Sequence, residues 1–379
     1  MGDQPARDGH ASKVSTLELF FDLVFVFTIT QLTRVLARDP DGPGLLRATV
    51  LLVVIWWMYG GYAWLTNVVA PDRIAQQLLL LGGMAGFFVI SLAVPSAFGA
   101  GGVAFGVGYL IVVLVHAGLF TRSAVGESSV AILKVAPLNL AAASMIVAAG
   151  IVDGGWGTAL LWGLAVAVIL LPSLRAPDAR FELAPRHFVE RHGLVVIVAI
   201  GESVVAVGTG ASTHPLSAGL LASAVIGLSL SACLWWSYFG QGEDERALEA
   251  MSAAPAERRP WLALNAYYHW HLAILLGIVA AASALQRAIG APGDPLSLGR
   301  SLSLGGGVAL FLVGGTLYRS VLGLGVSRWR IAAAALSLTT IPLGTQVSAF
   351  TQLGGLLTVL LACLVSERLR VRQDQTAMG

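Results

Sequence analysis

The stretch STLELFFDLVFVFTITQLTRVL (15–36) runs for 22 residues with three ionisable side chains, Glu18, Asp22 and Arg34. A bilayer's hydrocarbon core takes about 20 apolar residues of helix, so this run is long enough for one crossing. Two of its charges stand four residues apart near its start. Glu18 and Asp22 therefore share one helix face, continued by Phe25 and Ile29.

The rest of the chain repeats the pattern. Of 379 residues, 56% are apolar and 12% charged, with mean hydropathy +0.78. A soluble domain carries about 25% charged residues, which excludes a soluble globular enzyme. The predicted class is an all-α polytopic integral membrane protein. Apolar runs place about twelve transmembrane helices near 17–38, 45–67, 74–97, 102–122, 136–152, 157–173, 193–212, 215–239, 262–286, 301–319, 330–345 and 348–366. The runs 136–152 and 330–345 are the shortest and are rich in Ala, Ser and Thr.

Charge supports an even count. Lys and Arg total 23. Five of them (Arg34, Arg38, Arg47, Arg287 and Arg300) fall on one side of the twelve-helix arrangement, leaving 18 on the side of the termini. Cytoplasmic loops collect basic residues, so both termini are expected in the cytoplasm of a bacterial cell, with the protein in its inner membrane.

The two halves echo each other. IWWMY (55–59) returns as LWWSY (234–238), LFTRS (119–123) as LYRS (317–320), and Glu18 opens the first helix as Glu190 opens the seventh. Six helices per unit predicts two parallel six-helix repeats. The expected division is a polar N-terminal segment 1–16, repeat one over 17–176, a cytoplasmic connector 177–192, repeat two over 193–367 and a tail 368–379.

Several function classes lack a signature. The net charge of +2 provides no basic field for nucleic acid. Cys233 and Cys363 sit in apolar runs without CxxC spacing, and the first sixteen residues lack a signal-peptide pattern. His269 and His271 in an HxH helix point about 200° apart and cannot share one metal, so no metal or cofactor is expected. His116 reads as a core histidine. No phosphate-cradling or hydrolase motif occurs, and the 44 glycines read as close helix packing.

Intramembrane carboxylates carry the functional expectation, because each costs about 2.5–3.5 kcal/mol at a helix centre. The candidates for chemistry are Asp22, Glu18, Glu202 and Glu190. Glu202, in VAIGESVVAVG (198–208), lies some ten residues into the seventh run, near mid-membrane. HFVERH (187–192) puts His187 and Arg191 at i, i+4 where a loop meets that helix, a place where charges also meet water. The candidate lining residues are Phe25, Trp56, Trp57, Tyr59, Arg191, Trp235, Trp236, Tyr238, His269 and His271.

On STLELFFDLVFVFTITQLTRVL, HFVERHGLVVIVAIGESVVAVG (187–208), WWMYGGYAWLTN (56–67) and YYHWHLAILLG (267–277), the chain resembles the bacterial low temperature requirement protein A family, LtrA. The resemblance spans nearly the whole chain. It implies signature positions at Glu18, Asp22, Glu190, Arg191, Gly201, Glu202 and Ser203, and it implies no particular activity. FFDLVFVFTIT (20–30) also resembles the pore-helix signature of an organellar potassium channel family built from six-helix repeats, with Phe21 in place of its Ser.

The expected function is a transporter or channel in the lipid bilayer whose carboxylates bind protons or a small cation at the repeat interface. The alternative is a membrane-embedded enzyme, isoprenoid-cyclising or lipid-modifying, that uses a buried carboxylic acid on an apolar small molecule in an aromatic-lined cavity. A homo-oligomer is compatible with either.

Overall fold

A computed structural model describes residues 15–68, 73–123, 127–152, 154–173, 183–212, 215–240 and 242–378. All regular structure among them is helical. The first half comprises α1 (Thr16–Arg38), α2 (Gly42–Val68), α3 (Ile74–Ala93), α4 (Gly102–Ser123), α5 (Glu127–Val152) and α6 (Gly155–Ser173). The second comprises α7 (Pro185–Ser212), α8 (Ala218–Phe239), α9 (Glu243–Ala253), α10 (Arg259–Leu262), α11 (His271–Gly290), α12 (Leu298–Val321), α13 (Arg328–Thr339), α14 (Ile341–Gln346) and α15 (Ala349–Met378). A π-helical turn, Ala263–Trp270, joins α10 to α11. The chain is an all-α polytopic membrane protein.

Eleven helical segments among the described residues are long and apolar enough to cross a bilayer. The twelfth expected run, 330–345, is instead two short helices, α13 and α14. Pro342 is the reason: it stands in the first turn of α14, has no N–H and breaks the ladder. Carbonyls of the short α14 take partners from outside it. Ser301 Oγ donates to the Ile341 carbonyl at 3.0 Å, and the Leu296 N–H donates to that of Gly344 at 2.8 Å. Irregular backbone at membrane depth requires such internal partners.

The split pair still carries the chain across. The link before α15 is stitched to the loop before α12, with Ala349 N–H on Asp294 O at 2.8 Å and Phe350 N–H on Pro292 O at 2.9 Å. So α15 starts at the end where α12 starts, and α13 and α14 together supply the return pass. The first residue of α1 and the last turns of α15 consequently lie at the same end of the bundle.

Glycine sets the helix spacing at one contact in particular. A Cβ built on Gly307 of α12 would lie 2.6 Å from both Ala281 N and Gly277 O of α11, and one on Gly277 would lie 2.7 Å from Gly307 O. The two backbones touch, as small residues allow in lipid. Gly307→Val is expected to force them apart and cost about 1–3 kcal/mol, read as a lower thermal midpoint in detergent. An unchanged midpoint would show that the contact is not tight.

Candidate functional site

The first helix begins with a capping box. Ser15 Oγ accepts from the Glu18 N–H at 3.2 Å, and Glu18 Oε2 accepts from the Ser15 N–H at 2.8 Å. That occupies one carboxylate oxygen and fixes the rotamer of Glu18. Its other oxygen faces the bundle.

Helix α7 supplies what it faces. Pro185 opens this helix, where a missing N–H costs nothing. The segment 185–192, expected as part of a connector, therefore forms its first two turns and is largely buried. His187 is 2% and Arg191 1% exposed. Their i, i+4 spacing aims both at Glu18 Oε1, with His187 Nε2 at 2.9 Å and Arg191 Nη1 at 2.6 Å.

Arg191 also joins the neighbouring groups. Its Nη1 donates to Thr66 Oγ1 at 2.9 Å, and its Nη2 lies 3.4 Å from Asp22 Oδ1. Tyr59 Oη donates to the same Asp22 oxygen at 2.9 Å. The guanidinium lies over the rings of Phe21 and Tyr59, 5.4 and 5.7 Å from their centroids, which offers a buried cation two negative ring faces. Asp22 Oδ2 is buried with no hydrogen-bond partner among the described residues.

The tautomer of His187 follows from its neighbour. Asn67 Oδ1 accepts from the Ala184 N–H at 2.7 Å and Asn67 Nδ2 donates to the Ala184 carbonyl at 2.9 Å, so the amide's orientation is determined. Asn67 Nδ2 then approaches His187 Nδ1 at 3.4 Å as a donor. That contact suits His187 Nδ1 as an acceptor, with Nε2 carrying the hydrogen given to Glu18. Two carboxylates face one cation. That cation is Arg191, and the His187 imidazole lies beside it.

A second buried cluster is balanced. Glu243 of α9 accepts from Arg319 of α12 and from Arg330 Nη2 of α13 at 2.6 Å, and Arg330 Nε donates to Glu367 of α15 at 3.0 Å. Two acids meet two arginines, so the group needs no further ion. It pins the amphipathic α9 to the bundle. Sequence reasoning did not find it, because each member stands near a helix end where charges ordinarily meet water.

Aromatic and histidine rings connect the two clusters. His192 packs 5.1 Å from Tyr267 and 5.7 Å from His271, and Tyr267 Oη lies 3.0 Å from Tyr318 Oη. His271 Nδ1 donates to the Ala266 carbonyl at 3.0 Å, which leaves Nε2 to accept from Tyr238 Oη at 2.7 Å. The π-helical turn presents Tyr267 and the Ala266 carbonyl to this network, and such turns recur at functional sites.

A protein-family model described as bacterial low temperature requirement A protein (LtrA) matches residues 13–365. The chain belongs to the LtrA family. It is also similar to an uncharacterized protein of Rhizobium meliloti (strain 1021), at 26% identity over 316 residues, 80% of this chain and 76% of that one.

The other expected site residues of this LtrA chain are dispersed. Glu202 is buried on α7, where Thr30 Oγ1 of α1 donates to its Oε2 at 2.6 Å. It touches α1 well away from Asp22, so the two acids do not share a cluster. Glu190 is half-exposed beside Arg186, at 3.7 Å. Phe25 and Trp56 pack against Tyr59, with centroids 4.5 and 5.1 Å apart, and Trp56 Nε1 donates to the Tyr268 carbonyl at 3.0 Å. Trp57 leans the other way and donates to Asn139 Oδ1 at 2.7 Å. His269 is half-buried against Tyr268, outside the His271 network.

Trp235 and Trp236 face outward at 42% and 46% exposure, unlike Trp56 of the matching motif. Their place is that of an interfacial belt. Trp236→Ala is expected to leave the thermal midpoint within a few degrees, as surface substitutions change stability by about 0.5 kcal/mol or less. A large drop would place the ring in a packed interface.

Proposed function

We propose that this LtrA protein is a proton-binding membrane transporter in which Asp22 is the carboxylate that takes up and releases the proton. One observation carries the reading. Glu18, Asp22 and the one arginine Arg191 are buried together, His187 Nε2 lies on the Glu18 oxygen that Arg191 holds, and Asp22 Oδ2 has no partner among the described residues. An uncompensated charge in hydrocarbon is expensive, so the cluster holds a proton at rest. Glu18, bound on both oxygens, is the fixed counter-charge to Arg191. Asp22 is the group left to titrate.

The site joins α1 and α2 of the first half to α7 of the second, the junction expected if the halves are parallel repeats that move against each other. Glu202 would serve as a second station along α1. Thr30, its partner, is eight residues beyond Asp22, about 12 Å of helix rise.

An acid catalyst for an apolar substrate would use the same carboxyl, with ring faces stabilising positive charge on the substrate. The Arg191 guanidinium already lies over the Phe21 and Tyr59 rings. That favours the transporter.

The test is reconstitution in liposomes carrying a pH-sensitive dye, with an imposed pH gradient. Proton flux well above that of an Asp22→Asn, Glu202→Gln double variant is expected. Wild-type flux no greater than the variant's would end the proposal, and potassium flux without proton flux would make the bound cation a metal ion instead.

A further inference from the structure

At the opposite end of α1 a cavity of about 480 Å³ opens between α1, the start of α2 and the 3₁₀ turn Val94–Ser96. Its charged lining is Arg34, Arg38 and Arg47 against Asp39 alone, a net charge of two positive. This end of the bundle is poor in basic residues: it holds five arginines and no lysine among the described residues, and three of the five converge here.

Those three share one acid within the cavity wall. Asp39 answers only Arg47, at 3.1 Å, whereas Arg287, elsewhere at this end, has its own acid in Asp294. Arg34 is within electrostatic reach of the buried Glu202, and Arg38 meets no acid among the described residues. A second observation is independent of charge. Gln31 is only 6% exposed, borders the cavity and makes no hydrogen bond among the described residues. Its amide is therefore free to give its hydrogens to a group in the cavity that it borders.

The remaining wall is apolar, from Val35, Leu51, Val94 and Phe98. The volume lies in the range of small-molecule sites and exceeds what a bare ion would fill. Guanidinium forks match phosphate oxygens, and Gln31 adds a neutral donor.

We propose that this cavity binds an amphiphilic phosphate ester, its phosphate held by Arg34, Arg38 and Gln31 and its apolar stem laid against Phe98 and Leu51. The site lies twelve residues along α1 from Asp22, about 18 Å of helix rise. It does not depend on the proton chemistry there. A phospholipid headgroup and a soluble phosphate ester offer the same chemistry.

The experiment titrates hexyl phosphate into the full chain in a nonionic detergent and follows the thermal midpoint. A saturable rise is expected, with affinity weakened about tenfold or more in Arg38→Gln and in Gln31→Leu, since each loses a charge-assisted bond. Arg38 is exposed, so its variant keeps the fold; Gln31→Leu provides a separate check. Nanodiscs distinguish the sources. Phosphatidylglycerol discs that suppress hexyl phosphate binding, relative to phosphatidylcholine discs, assign the site to a lipid headgroup, and equal binding in both assigns it to a soluble ester. No saturable rise in the wild type, or an undiminished one in both variants, would overturn the site. Inorganic phosphate binding as tightly as hexyl phosphate would overturn its amphiphilic character.

Discussion

Asp22→Asn is expected to reduce proton flux to the level of empty liposomes while leaving the protein folded. Asn has nearly the shape of Asp, and its Oδ1 can still accept from Tyr59 Oη and Arg191 Nη2, which lie 2.9 and 3.4 Å from the native oxygen. What disappears is the group that titrates. The charge count also changes in favour of stability. With Asn at 22, Glu18 and Arg191 balance without a bound proton, so the thermal midpoint should stay level or rise. An enzyme-like or purely structural carboxylate would not pair lost flux with kept stability. Flux at the wild-type level would remove Asp22 from the proton path.

Arg191→Met is expected to have the largest effect on folding. It leaves Glu18 and Asp22 buried at 3% exposure each with no cation between them. Removing one partner of a buried ion pair costs about 3–5 kcal/mol, a large part of a typical protein's stability. The expected readout is loss of monodisperse protein on size exclusion in detergent. Pairing it with Glu18→Gln should recover much of that loss, because the second change removes a stranded charge. Arg191→Lys should recover only part. A single ammonium cannot reach Glu18, Thr66 and Asp22 while lying over two rings. Full stability of Arg191→Met alone would mean that the acids are neutral in the wild type, contrary to the ion-pair account.

How far the sequence reveals this arrangement depends on how local each feature is. The apolar runs and the Glu18/Asp22 spacing are local, so the helices and the shared face of the two acids can be read directly. The partner of those acids cannot: Arg191 is 169 residues from Asp22, and no pattern within HFVERH announces that it folds inward. Charge density there suggests water, whereas Pro185 starts the helix early enough to bury the segment. The motif W-W-x-Y misleads in the other direction. Trp56 is buried and Trp235 faces outward, because only tertiary packing decides which side of a helix meets lipid. Pro342 could have signalled the split twelfth pass, since a proline inside an apolar run ends the helix before it.

The two ion clusters show why a count of buried charges is more informative than their presence. Glu243, Arg319, Arg330 and Glu367 sum to zero and act as a fastener between α9 and the bundle. Glu18, Asp22 and Arg191 do not sum to zero. The same kinds of residue, at similar burial, balance in one site and in the other leave the sum to the proton proposed on Asp22.

The proposed proton is tested most directly by infrared difference spectroscopy of the protein in lipid across a pH step. The account predicts a carbonyl band of a protonated carboxylic acid at neutral pH that disappears in Asp22→Asn and persists in Glu257→Gln, a change at a surface acid. A spectrum with no protonated carboxyl band in the wild type, or one that Asp22→Asn leaves intact, would contradict it.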